Sequence, residues 1–223
     1  MEKNVSAISA EISAACDRAG RDVSDVTLVA VSKTVGLEEV KAAISAGIHD
    51  FGENRTVLFK EKQAAFPGES WHFIGSIQTN KIKDFVGRAA LVHSVASERA
   101  LIAIAKRAEA AGLVQSVLLE VNMSGEASKD GFAAGDLDAA LEAACALGGV
   151  RVEGLMTMAA RENPTAARKS FAGLRELRDR YRNMYKSAKN IRLIELSMGM
   201  SDDYGIAIEE GATIVRIGRS IWL

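Results

Sequence analysis

Lys33 closes the apolar run Val29-Ala30-Val31-Ser32. In an extended chain alternate side chains share a face, so Lys33 lies with Val29 and Val31. An ammonium on an apolar face is costly, and desolvation there favours the neutral amine, which attacks carbonyl carbons. A free lysine is neutral for only about one part in two thousand at pH 7, so such tuning decides whether it is a nucleophile. Position alone also suits a surface lysine that snorkels just past a strand.

Two Gly/Ser turns lie near the far end of the chain, at 196–203 (LSMGMSDD) and 215–220 (VRIGRS). Glycines let backbone N–H groups approach an anion, and a following helix N-terminus adds a favourable dipole. Ser201 can add a hydroxyl, and Arg216 or Arg219 a charge. Each could equally be a plain turn. Asn54, in Gly52-Glu53-Asn54-Arg55, is a candidate donor to a ligand. His49, His72 and His93 lack metal-ligand spacing, and a lone strand histidine reads as a satisfied interior group. Lys81, Lys83 and Arg88 read as a solvated basic face. No G-x-S-x-G, P-loop or G-x-G-x-x-G motif occurs.

These residues must be positioned by alternating elements. Strand candidates fall at 26–31, 48–51, 71–74, 91–94, 116–121, 152–156, 192–196 and 213–217. Helical periodicity occupies 37–46, 97–111 and 164–186. Asn163 and Pro164 form a helix start, and Gly47, Gly112 and Gly211 follow helical runs as C-caps. Strand–helix alternation predicts a parallel sheet. Eight units in 223 residues suggest a (β/α)8 TIM barrel, with an open doubly wound sheet as the alternative. In such a barrel the site lies at the strand C-termini, and phosphate binds after strands seven and eight. An extra N-terminal helix, 5–20, is expected to plug the bottom. With no linker or repeat, residues 1–223 read as one domain.

Hydrophobic residues, 48% of the chain, can build a sizeable core. The net charge of −1 gives no bulk attraction to nucleic acid or acidic membrane. No signal core or membrane span is visible, so the expected location is cytoplasmic. Cys16 and Cys145 alone make neither a disulfide framework nor a zinc site, and both read as small buried residues.

The chain resembles the pyridoxal phosphate homeostasis proteins, single barrels similar to the N-terminal barrel of alanine racemase. The resemblance covers nearly the whole chain. It rests on residues 29–34 (VAVSKT), 51–55 (FGENR), 71–75 (WHFIG) with 78–81 (QTNK), and His93-Ser94. It continues through 122–132 (NMSGEASKDGF), 154–156 (GLM), 196–202 (LSMGMSD), 207–211 (AIEEG) and 215–218 (VRIG). It implies pyridoxal 5′-phosphate (PLP) as cofactor, held as a Schiff base on Lys33. Ser201 and the backbone at Gly218 and Arg219 would cradle the phosphate, Arg216 would face the pyridine nitrogen, and Asn54 would lie beside the cofactor. Three positions depart from the family pattern. No proline follows the lysine motif, Ala96 replaces a common aspartate, and the chain ends Trp222-Leu223 instead of Phe-Gly.

Alanine racemases add a second domain with a catalytic tyrosine. Here the tyrosines are Tyr181, Tyr185 and Tyr204, and no second base is evident. An arginine at the pyridine nitrogen keeps its own proton, which weakens the ring as an electron sink. The expected function is therefore PLP buffering and delivery, with apo-enzymes as partners and a monomeric state. The alternatives are a PLP-dependent amino-acid racemase using Tyr204, and a Schiff-base aldolase using Lys33 on a sugar phosphate.

Overall fold

A computed structural model describes residues 1–126, 130–159 and 163–223. Its strands are β1 (Thr27–Val31), β2 (Asp50–Glu53), β3 (Ser70–Phe73), β4 (Leu91–Val95), β5 (Gln115–Glu120), β6 (Val150–Met156), β7 (Ile191–Ser197) and β8 (Ile214–Ile217). Each is hydrogen-bonded to the next, and β8 pairs parallel with β1, from Thr27↔Ile214 to Ala30↔Ile217. The sheet is therefore a closed barrel, not an open one. The helices are α1 (Glu2–Ala19), α2 (Leu37–Ser45), α3 (Thr56–Ala65), α4 (Glu98–Ala110), α5 (Leu137–Cys145), α6 (Pro164–Met184), α7 (Tyr204–Glu209) and α8 (Arg219–Trp222). A 3-10 segment, Thr79–Asp84, stands where a helix would link β3 to β4.

The two-residue strand period sorts the core. Val29, Leu91, Leu118, Met156 and Ile214 pack together as one small cluster. Their strand neighbours, such as Ala30, Val92, Leu119, Leu155 and Val215, join the larger core under the helices. The first set thus fills the barrel and the second faces outward. Phe51 stacks on Trp71 at 5.2 Å and Phe73 on Phe85 at 4.3 Å in that outer layer. The predicted helix start is present, with Asn163 Oδ1 accepting from the Ala166 N–H at 2.9 Å. Gly47, Gly112 and Gly211 all have positive φ.

Gly154 has a steric duty. A Cβ there would lie 1.9 Å from the Glu195 carbonyl oxygen on β7. The β6–β7 register slips at this point, and Leu193 takes φ 49°, so β7 bulges against β6. Gly154→Ala should destabilise the fold by about 1–3 kcal/mol through overpacking, read as a lower urea midpoint.

The N-terminal helix does not plug the barrel. α1 buries Val5, Ile8, Ile12, Ala15 and Cys16 and packs beside the barrel on α7 and α8. Those helices have six and four residues, too short to cover β7 and β8 alone. Arg21 donates to the carbonyls of Ile208 and Ala212, both at 2.8 Å, which fastens the junction. Cys145, expected to be buried, is exposed, whereas Cys16 is buried; α5 ends at Cys145 and turns it to the surface. Among the described residues no helix is long and apolar enough to cross a membrane.

Candidate functional site

The C-terminal strand ends frame a cavity of about 550 Å³ whose lining includes Val31, Lys33, Ser201, Arg216, Gly218 and Arg219. That volume is in the usual range for small-molecule sites. The start of α6, Asn163 and Pro164, closes one side. Lys33 does not sit in the dry environment expected of it, because its side chain is exposed. β1 ends at Val31, two residues earlier, so the lysine stands in an open mouth instead of against strand neighbours.

The residue before it is held firmly. Lys62 of α3 donates to the Ser32 carbonyl at 2.7 Å and to Glu53 Oε1 at 2.5 Å, and the Ser32 hydroxyl donates to the same Oε1 at 2.8 Å. Lys62 and Glu53 are 2% and 0% exposed. The Trp222 indole donates to the Val31 carbonyl at 2.7 Å. The unusual chain ending thus adds an anchor for the end of β1.

Arg216 lies on the inward face of β8, buried. It donates to Ser197 Oγ at 2.6 Å and to the Thr157 carbonyl at 3.0 Å. Burial lowers its pKa to about 10, against the pull of Glu120 and Asp203, so it stays cationic at neutral pH. Burial has the opposite effect on Glu120, at the end of β5, raising its pKa from 4.5 to about 7 despite the nearby Arg216. The folded state then holds a proton that the unfolded state releases above pH 4.5. Stability from this group is present below that pH and is lost as pH rises through about 7. Glu120→Gln should flatten this slope, raising the melting temperature more at pH 8 than at pH 5, as calorimetry would show.

The two glycine turns meet at the cavity. The Arg216 N–H donates to the Gly199 carbonyl at 3.0 Å, which ties the β8 exit to the β7 exit. A Cβ on Gly199 would lie 2.6 Å from the Ala207 Cβ, and its φ is 91°. Asp203 turns its carboxylate onto its own loop, accepting from the Met200 N–H at 2.6 Å. Arg219 pairs with Asp202 across the mouth. Its side chain is therefore engaged, and its free contribution to an anion is backbone. The leading N–H groups of a short helix such as α8 have no intrahelical acceptor.

Asn54 stands one strand away. A Cβ at Gly75 would lie 2.1 Å from the Asn54 carbonyl oxygen, and Ser94 Oγ grips the Gly75 carbonyl at 2.5 Å. The WHFIG and His-Ser motifs thereby place Asn54. Its Oδ1 is buried without a hydrogen-bond partner, so the open valence is an acceptor, where a donor was expected. Asn54 is not among the cavity-lining residues. Tyr204 is buried beneath α1 with its hydroxyl on Glu11, outside the cavity lining. Of the NMSGEASKDGF stretch, residues 127–129 lie outside the described residues. Two polar clusters were not legible as such, the Glu53–Lys62 pair and a row of inward groups at His72, His93 and Ser197. Inward parity on each strand was the available signal.

A closed parallel barrel with a lysine at the first strand exit and glycine turns at the last two defines an alanine-racemase-type barrel. The family described as alanine racemase, N-terminal domain, matches residues 4–223. Within that class, the chain belongs to the pyridoxal phosphate homeostasis protein family. The Aquifex aeolicus protein of that name is 42% identical over 223 residues, covering 99% of this chain and 96% of its relative. A crystal structure of an unknown protein from Bifidobacterium adolescentis superposes with TM-score 0.94 at 34% identity, covering 99% and 94% of the two chains. PipY of Synechococcus elongatus, solved with PLP bound, gives TM-score 0.80 at 32% identity, covering 89% and 93%.

Proposed function

We propose that this chain holds PLP in the barrel-mouth cavity through Lys33 and serves PLP homeostasis, buffering the cofactor and delivering it to apo-enzymes. It acts as a cytoplasmic monomer, with residues 1–223 as one domain. One observation carries the reading: Lys33, Ser201, Arg216 and the Gly218–Arg219 turn line a single cavity. The donor set fits the cofactor. The Ser201 hydroxyl and the amides at Gly218 and Arg219 suit a phosphate. Arg216, donor-only, suits a ring nitrogen that accepts.

When bound, PLP supplies an aldehyde carbon with which an amine condenses, releasing water. Lys33 provides that amine from an open mouth, and filling the mouth removes water from around it. Arg216 keeps its own proton and so orients the ring without protonating it. The placement of Tyr204 against Glu11 favours carrier over racemase, because the phenol the racemase reading needs is held elsewhere. Titrating the purified protein with PLP should produce a visible absorbance band. Borohydride reduction should then fix the added mass on the peptide bearing Lys33. A band whose reduced adduct maps to another lysine, or no band, overturns the reading.

A further inference from the structure

A line of hydrogen bonds crosses the barrel interior from one end to the other. Arg216 Nη1 donates to Ser197 Oγ at 2.6 Å. Ser197 Oγ lies 2.9 Å from His93 Nδ1, His93 Nε2 lies 2.8 Å from His72 Nδ1, and His72 Nε2 lies 3.0 Å from Asp50 Oδ1. The step from β4 to β7 spans strands that are not neighbours in the sheet. Asp50 opens β2 at the N-terminal end of the barrel, partly exposed, and Arg216 stands at the cavity.

The ends dictate where each proton sits. A guanidinium only donates, and a carboxylate only accepts. The Asp50 carboxylate draws the His72 proton to Nε2, which leaves His72 Nδ1 to accept from His93 and His93 Nδ1 to accept from the Ser197 hydroxyl. The His93 proton is thus likewise on Nε2. Each imidazole then uses one nitrogen as donor and the other as acceptor, and all four bonds run in one direction. Burial above all holds His93 well below the usual histidine range, and against the upward push of burial the bond from His72 helps lower Asp50. His49 and Ser70 face Asp50 at the far end, and Glu120 and Asp203 face Arg216 at the near end.

We infer that Asp50, His72, His93 and Ser197 are positioning residues that set the orientation of Arg216 toward the cofactor ring from the opposite end of the barrel. The cofactor half of this inference rests on the proposed function; the relay itself does not. A fully satisfied buried chain polarises link by link and specifies one geometry. The relay takes one Arg216 N–H and the Thr157 carbonyl takes another, which aims the remaining donors.

The test uses Asp50→Leu, with Asp50→Asn as the conservative control. Leucine removes the last acceptor, and the cheapest repair reverses the relay, with His72 Nδ1–H donating to His93 Nε2 and His93 Nδ1–H to Ser197. Two-bond nitrogen–proton NMR of the histidine-labelled, cofactor-free protein should show both rings as Nε2–H tautomers in the wild type. In Asp50→Leu both should become Nδ1–H, including His93, which does not touch residue 50. Asp50→Asn keeps an acceptor oxygen and should keep the wild-type pattern. With PLP added, the visible band should shift in Asp50→Leu and not in Asp50→Asn. A His93 tautomer unchanged in Asp50→Leu overturns the relay, and an identical band in all three proteins overturns its role in placing Arg216. A wild type with no band defeats the proposed function and this cofactor role together, while the NMR arm still decides the relay.

Discussion

Lys62→Met lowers the unfolding free energy by about 3–5 kcal/mol, the cost of leaving a buried charge without its partner. Lys62 and Glu53 are joined at 2.5 Å inside the layer between β2 and α3, and Glu53 Oε2 already lacks a partner. Without the ammonium, the carboxylate keeps only the Ser32 hydroxyl. The double variant Glu53→Leu with Lys62→Met should regain most of the loss, since an apolar pair of similar volume often replaces a buried ion pair neutrally. Urea midpoints at unchanged m-value measure both steps. A double variant as unstable as the single one means that volume, not charge, is responsible. The pair also grips Ser32, next to Lys33. The double variant, though stable, should therefore attach PLP more weakly than the wild type does.

Lys33→Ala removes the visible band entirely while leaving weaker, phosphate-dependent binding. The two halves of the proposed site are separate in the chain: the amine leaves β1, and the anion cradle leaves β7 and β8. Removing the amine leaves the Ser201 hydroxyl and the turn amides in place, because Asp203, Gly199 and the Arg216 backbone hold those turns without Lys33. Equilibrium dialysis should detect retained PLP binding that inorganic phosphate displaces. Ser201→Ala should do the reverse, keeping the band at a lower affinity. A band that survives in Lys33→Ala places the covalent link on another amine.

Much of this arrangement was legible in the residues. Strand parity put Lys33 on the face of Val29 and Val31, and strand–helix alternation predicted the eight parallel strands. The Asn163 cap and the positive-φ glycines were also visible, because capping and left-handed turns depend on local chemistry. The exposure of Lys33 was not legible, since it depends on how far the barrel wall extends past Val31. The seat of α1 was hidden as well: amphipathic spacing identifies a buried face but not the surface it meets. Tyr204 followed the phosphate-type turn in sequence, yet its ring turns under α1 to Glu11.

The lysine, the two glycine turns and the family are written in the sequence by itself, since they rest on residue type and short-range spacing. Only the closed barrel decided what those groups face. Closure puts β4 opposite β7, so His93 reaches Ser197 over 104 residues of chain. It also folds α3 over β2, so Lys62 and Glu53 meet in the dry layer behind Ser32. Such contacts join side chains through space, and spacing along the chain carries no record of which walls of a barrel will meet.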